Sequence, residues 1–345
     1  MTERLNRLQQ QLEQPLLVTN PTNVVYLVGF DSSNCALFVE HDRARLFTDF
    51  RYLEAARAVD DVEVVQSKRN LTAELAELLS GRVGFEAANL TYARWETLRS
   101  GGLDLVPTSG VVEDLRAVKD ESELDALRRA CAITDRVFER LTEVPFVGRA
   151  ERDVSWDLQQ LFHEEGGQGL AFESIVGAGP TGARPHARAG DRKIGAGELV
   201  VIDAGTTVDG YASDYTRTFA TGPLDSEDKE VYETVLRAQQ AALDGIRAGV
   251  SGVAADALAR TVIDGSPFTG AMGHGLGHGL GLDVHEEPRL STESDSVLEP
   301  GNVVTVEPGI YLEGKFGVRI EDDVVVTEDG IENLTGFRKD LIEVG

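Results

Sequence analysis

The sequence predicts an α+β protein of two domains, a smaller α/β layer domain followed by a larger domain of helices and antiparallel hairpins. Three observations predict it. The chain has 345 residues, which fits two domains at the usual size of roughly 100–200 residues each. Up to about residue 115, short β-branched or aromatic runs alternate with helical stretches. Beyond that point, long amphipathic helices stand between strand pairs without a regular βαβ alternation.

In the first domain, PLLVT (15–19), CALFVE (35–40), ARLFTD (44–49), VEVVQ (62–66) and GRVGFE (81–86) read as strands. RYLEAARAV (51–59) and LTAELAELLS (71–80) read as helices between them. The turn-rich, charged stretch TSGVVEDLRAVKDESE (108–123) holds the boundary, giving domains 1–115 and 116–345. The second domain opens on a long helix, where Leu124, Leu127, Cys131, Thr134, Phe138 and Leu141 recur at helical spacing and make one apolar face. Cys131 on that face reads as packing. Two further helices carry Val154, Leu158, Leu161 and Phe162, then Tyr232, Val235, Leu236, Leu243 and Ile246. Two hairpins complete the pattern, LVVIDAG/YASDYTRTFA around Val-Asp-Gly and NVVTVEPGIYL/GVRIEDDVVV around Glu313-Gly314. There is no repeat of fixed period and no low-complexity tract.

Composition narrows the function. With 33 Lys+Arg against 59 Asp+Glu, the net charge of −26 argues against nucleic acid and anionic membrane as partners, because phosphate-rich surfaces need positive potential. No apolar run approaches the roughly 18–20 residues of a membrane span, and the polar start MTERLNRLQQQLEQ has no signal-peptide core. Two cysteines, Cys35 and Cys131, make no disulfide framework, so the expectation is a cytoplasmic protein. Only six basic residues are lysine, and acidic excess with scarce lysine fits a halophilic cytoplasm, where molar salt cuts the Debye length to about 3 Å.

The chemistry sits in the hairpins. Asp203 lies inside an apolar strand, where an ionised carboxylate is costly unless paired or bound to a cation. With Asp209-Gly210 as a two-residue turn, residue 203 faces 216, and Asp203 and Asp214 share a face roughly 5.5–8 Å apart at the backbone. That suits two carboxylates converging on metal ions about 3.5–4 Å apart. Glu307 and Glu321 end apolar runs in the second hairpin and centre on Gly314, which makes them opposed partners across one ladder; like charges so placed need a cation. Of six histidines, His274, His278 and His285 cluster in GHGLGHGLGLDVHEEP (273–288), whose glycines exclude a stable helix and let backbone pass close to a ligand. His163 reads as solvated, His41, in VEHDRAR, reads as a turn residue, and His186, in GARPHARAG, lies in a loop open to either use. Four carboxylates and one imidazole suit Mn²⁺ or Co²⁺ better than structural zinc, and a metal pair of this kind does hydrolytic work.

In this order (VIDAG, SDYTRTF, the glycine–histidine segment, TVEPGIY, RIEDD) the motifs resemble the "pita-bread" metallopeptidases, and among them the Xaa-Pro peptidases, prolidase and aminopeptidase P. LLVTNPTNVVYLVGF (16–30) resembles that family's creatinase-type N-domain, and LRAVKDESELDALRRA (115–130) resembles its usual first helix. The resemblance implies a C-terminal pita-bread catalytic domain behind a creatinase-type α/β domain, a pair of divalent ions, and small peptides with proline at the second position as substrates. It implies that Asp203 chelates one ion, Asp214 and Glu321 bridge both, and His278 and Glu307 hold the other. Glu307 would also move a proton, His186 and His285 would bind substrate and the developing oxyanion, His274 would line the pocket, and Arg319 would support the site. It implies a homodimer as well.

An Xaa-Pro bond lacks the backbone N–H that many peptidases grip, so it needs a dedicated pocket. Arg289, in HEEPR, matches the arginine with which prolidases take the free carboxylate of a dipeptide, and a guanidinium fork suits that group. The expectation is therefore an Xaa-Pro dipeptidase. The alternatives are an aminopeptidase P acting on longer peptides, a creatinase-like hydrolase without metal, and a non-catalytic peptide-binding protein on the same fold.

Overall fold

The computed structural model describes residues 2–345, which form two compact units divided between Arg116 and Ala117. The first unit is a six-stranded sheet. Leu16–Val18 runs parallel to Arg82–Glu86 and antiparallel to Cys35–Val39, and Ala44–Asp49, Glu63–Ser67 and Asp104–Thr108 extend it on either side. All five strands read from the sequence are present. The stretch 51–59 holds only the short helix Leu53–Ala56, while Leu71–Leu78 forms as expected. Helices Pro21–Val28 and Tyr92–Ser100 and the sixth strand carry weaker patterns; Leu98 is the only buried residue of Tyr92–Ser100. The core of this unit joins Leu17, Phe38, Phe47, Leu75, Val83 and Phe85 under the helices.

The second unit opens on the helix Glu121–Leu141. Asp120 and Glu123 close its start as a reciprocal cap, and its apolar face is buried as its periodicity requires. Glu151–Glu164 shares a core with it, and Ser226–Gly245 and Gly252–Asp264 share another, each against antiparallel strands. The first carboxylate hairpin has the register its turn dictates. Asp209 and Gly210 both take positive φ (51° and 85°), and Thr216 stands opposite Asp203. Strand Ile175–Ala178 pairs on the other side of Leu199–Ala204.

The second hairpin differs from expectation in one respect. Its strands keep the register centred on Gly314, with Val306 opposite Asp322 and Gly309 opposite Arg319. Glu307 and Glu321 fall between two ladders rather than pairing within one. Pro308 has no N–H to continue the ladder, and the freed amides go elsewhere: Glu307 N–H to the Leu276 carbonyl, Glu321 N–H to that of Thr216. The break ties each glutamate to a neighbouring segment instead of to the other.

Candidate metal and substrate site

Each functional side chain is carried by an element whose form follows from its sequence. The apolar strand Leu199–Ala204 buries Asp203, and the corner before Tyr215–Ala220 supplies Asp214. The strand Gly277–Gly279 supplies His278, and it needs its glycines. A Cβ at Gly277 would stand 2.0 Å from the Thr305 carbonyl oxygen, and one at Gly279 would stand 2.3 Å from that of Glu287. The broken hairpin supplies Glu307 and Glu321.

These elements bring all ten candidates, His186, Asp203, Asp214, His274, His278, His285, Arg289, Glu307, Arg319 and Glu321, to the wall of one cavity of about 560 Å³. Ligand atoms of Asp214, His278 and Glu321 lie within 4.8 Å of one another. His278 Nε2 is 3.7 Å from Asp214 Oδ2 and 3.4 Å from Glu307 Oε1. Its Nδ1 donates to the Gly279 carbonyl (3.1 Å), which leaves the Nε2 lone pair facing the carboxylates. Burial pushes the His278 imidazolium down to about 4, so the ring is neutral near pH 7.

The acids are not matched by cations. Burial raises Asp203, Asp214 and Glu321, and each of the last two is raised further by its acidic neighbours; burial pushes Glu307 up to about 8. Arg319 is the guanidinium among them. It holds Asp203 Oδ2 at 2.6 Å and lies 3.9 Å from Glu307 and from Glu321. Asp203 Oδ1 is buried without a hydrogen-bond partner among the described residues. An orphaned carboxylate oxygen, repelling acids and a neutral imidazole lone pair are donors of the kind a divalent cation takes, and the residues fit one.

Some contributors escaped the sequence reading. Thr216 Oγ1 donates to Glu321 Oε2 (2.6 Å) and accepts from Arg319 Nε (2.8 Å). Tyr311 Oη donates to His274 Nε2 and accepts from Arg319, both at 2.9 Å. Cys131 is buried as expected, but its Sγ also donates to Asp323 Oδ2, which in turn takes the Asp214 N–H. Phe172, Ile175 and Val284 give the cavity an apolar side. His41 and His163 are exposed and are not among its lining residues.

Residues 125–328 match the description Metallopeptidase family M24, and residues 4–118 match Creatinase/Prolidase N-terminal domain. The Xaa-Pro dipeptidase of Pyrococcus furiosus is 33% identical over 99% of this chain and 100% of its own length. The solved Xaa-Pro dipeptidase from Bacillus anthracis superposes with a TM-score of 0.95 at 38% identity, covering 99% of both chains. An X-Pro aminopeptidase from Thermotoga maritima superposes with a TM-score of 0.89 at 34% identity, over 98% of this chain and 100% of that one. The chain belongs to metallopeptidase family M24, with a creatinase-type N-terminal domain. It is a hydrolase of the metallopeptidase class, and its family implies divalent metal ions. No helix among the described residues is long and apolar enough to cross a membrane.

Proposed function

We propose that this protein hydrolyses the Xaa-Pro bond of dipeptides, with residues 116–345 as the catalytic domain and 1–115 as the creatinase-type domain. The observation that carries the reading is the convergence of four carboxylates and the Nε2 face of His278 on a cavity whose rim bears Arg289. Asp203, Asp214, His278, Glu307 and Glu321 would hold two divalent ions, Mn²⁺ or Co²⁺, which supply Lewis acidity and hydrolytic power at neutral pH.

The chain's own groups do the rest. Arg319 fixes the Asp203 carboxylate, and Thr216 fixes that of Glu321. Glu307 takes and returns the proton at its carboxylate oxygens. His186 and His285 meet the substrate carbonyl oxygen and the charge that grows on it. His274 accepts from Tyr311 at Nε2 and lines the pocket, and Arg289 takes the prolyl carboxylate as a fork. The Arg289 side chain is 70% exposed and has Glu287 beside it at 3.6 Å, so it is free to swing to an anion.

Ala-Pro, Gly-Pro and Ala-Pro-Gly, assayed with Mn²⁺ or Co²⁺, test the reading. Dipeptides are expected to turn over faster. Faster cleavage of the tripeptide would favour the aminopeptidase alternative, which the Thermotoga relative's name supports, and no metal-dependent turnover would favour a peptide-binding protein. The acidic, lysine-poor composition supports a cytoplasm of high salt. Unfolding is expected to shift to higher temperature between low and molar KCl, and an unchanged midpoint would count against it. The homodimer follows from the family resemblance, and sedimentation in that buffer would test it.

A further inference from the structure

We propose that Glu151 is a positioning residue for substrate binding: it clamps both stems of the loop that carries His186. The proposal rests on the substrate role given to His186 above. Glu151 begins the helix Glu151–Glu164, is 1% exposed and is absent from the cavity wall. Its Oε1 accepts the Ala178 N–H (3.1 Å) and its Oε2 accepts the Gly190 N–H (3.3 Å). Ala178 ends the strand Ile175–Ala178, and Gly190 is where the chain returns, so one carboxylate closes the neck of the loop. Backbone bonds reinforce the neck, from Glu151 N–H to the Arg192 carbonyl and from Arg152 N–H to that of Gly190.

Within the neck the loop is held as a body. Turns link Arg184 to Thr181 and Ala187 to Arg184, and Ala187 is buried. The Gly182 carbonyl rests on Gly317, where a Cβ would stand 2.1 Å away. At the tip, Arg319 donates to the Pro185 carbonyl (3.3 Å), so the guanidinium that fixes Asp203 also fixes the residue before His186. The His186 ring is exposed, and among the described residues no hydrogen bond or ion pair holds it. Its place is set through the backbone, and therefore by the neck.

The carboxylate is chemically required. Both neck groups are N–H donors, and an ionised carboxylate offers acceptors on both oxygens, whereas an amide presents its own N–H to one of them. A buried N–H that loses its acceptor opens the turn to find another.

A double-mutant cycle tests this. Glu151→Gln is expected to lower kcat/KM for Ala-Pro by about 10- to 100-fold, the scale on which a misplaced group costs rate. In a His186→Ala background the same change should matter less than about twofold, since the residue it positions is gone. Affinity for Mn²⁺ alone, by titration calorimetry, should stay unchanged, and amide exchange at residues 179–190 should quicken. Multiplying effects in the cycle, weakened Mn²⁺ affinity or unaltered exchange would overturn the proposal. Glu151→Asp, which keeps the charge and loses the reach, takes the same measurements should Glu151→Gln fail to fold; failure of both would overturn it by making Glu151 a requirement of the whole unit. Wild-type protein without Xaa-Pro turnover would sink the functional reading, while the exchange experiment would still judge the clamp.

Discussion

Glu86 in the N-terminal unit and Asp214 in the C-terminal unit are both buried acids, and they differ in the donors around them. Glu86 accepts from the N–H groups of Thr19 (2.6 Å) and Asn20 (2.7 Å) and from the Asn23 side chain (2.7 Å). Asn23 is itself anchored by Arg116. Asp214 has acidic neighbours instead, and Asp203, Asp323 and Glu307 each push it further toward its protonated form. Burial alone therefore does not single out the carboxylates proposed to hold metal. What sets those apart is burial with few donors, repeated at several acids around one cavity. The same contrast separates two consecutive residues: Glu321 faces the cavity, whereas Asp322 takes donors from Arg217, Lys339 and Asn333 and is held below its ordinary value against the cost of its burial.

The comparison is broken most sharply by neutralising one acid of each kind. Asp214→Asn or Glu321→Gln should lower peptidase activity by at least about a hundredfold through lost metal affinity. The same variants, stripped of metal, should be more stable than the metal-free wild type by roughly 1–3 kcal/mol, because one repelling buried charge is removed. Glu86→Gln should lose about 1–3 kcal/mol, since its amide turns a donor toward donors. Denaturant unfolding in chelator reads all three, and a common sign for both regions would end the distinction. Adding Mn²⁺ to the wild type should raise its unfolding free energy by about 4 kcal/mol at a thousandfold excess over Kd, and should do far less for Asp214→Asn.

Two arginines extend the contrast. Arg319 is buried and spent on Asp203, Thr216, Tyr311 and Pro185, while Arg289 stands at the rim beside Glu287. Arg289→Ala should raise KM for Ala-Pro about tenfold and for Ala-Pro-Gly less, because only the dipeptide places its carboxylate at the prolyl residue. Equal effects on the two peptides would return Arg289 to the solvent.

Local patterns made much of this legible. Asp209-Gly210 is a turn with two positive φ values, so the register placing Thr216 opposite Asp203 could be written down from the sequence. The centre of the second hairpin at Gly314 was equally readable, but the interruption at Glu307 required weighing Pro308, whose missing N–H ends the ladder. Contacts between residues far apart left no local trace. Tyr311 between His274 and Arg319, Cys131 beneath Asp323 and Glu151 at the loop neck all depend on how elements meet. The helix Tyr92–Ser100 was missed for a simpler reason: with Leu98 alone buried, it has almost no apolar face to show.

The smallest effect concerns pH. For Glu86, burial outweighs its donors, and its carboxyl is raised above the ordinary value of 4.5. An acid raised on folding contributes stability that is fully present below its unfolded value and is lost as pH rises through its folded one. Glu86→Gln cannot titrate, so the stability advantage of wild type over this variant should be greatest below pH 4.5 and should shrink toward neutrality. Unfolding of both proteins at matched pH, compared as a difference, isolates the group from every other acid in the chain. An advantage that grows with pH would mean that the Thr19, Asn20 and Asn23 donors overcome burial. Glu86 would then stand still further from the acids of the cavity, which share one guanidinium and few other donors.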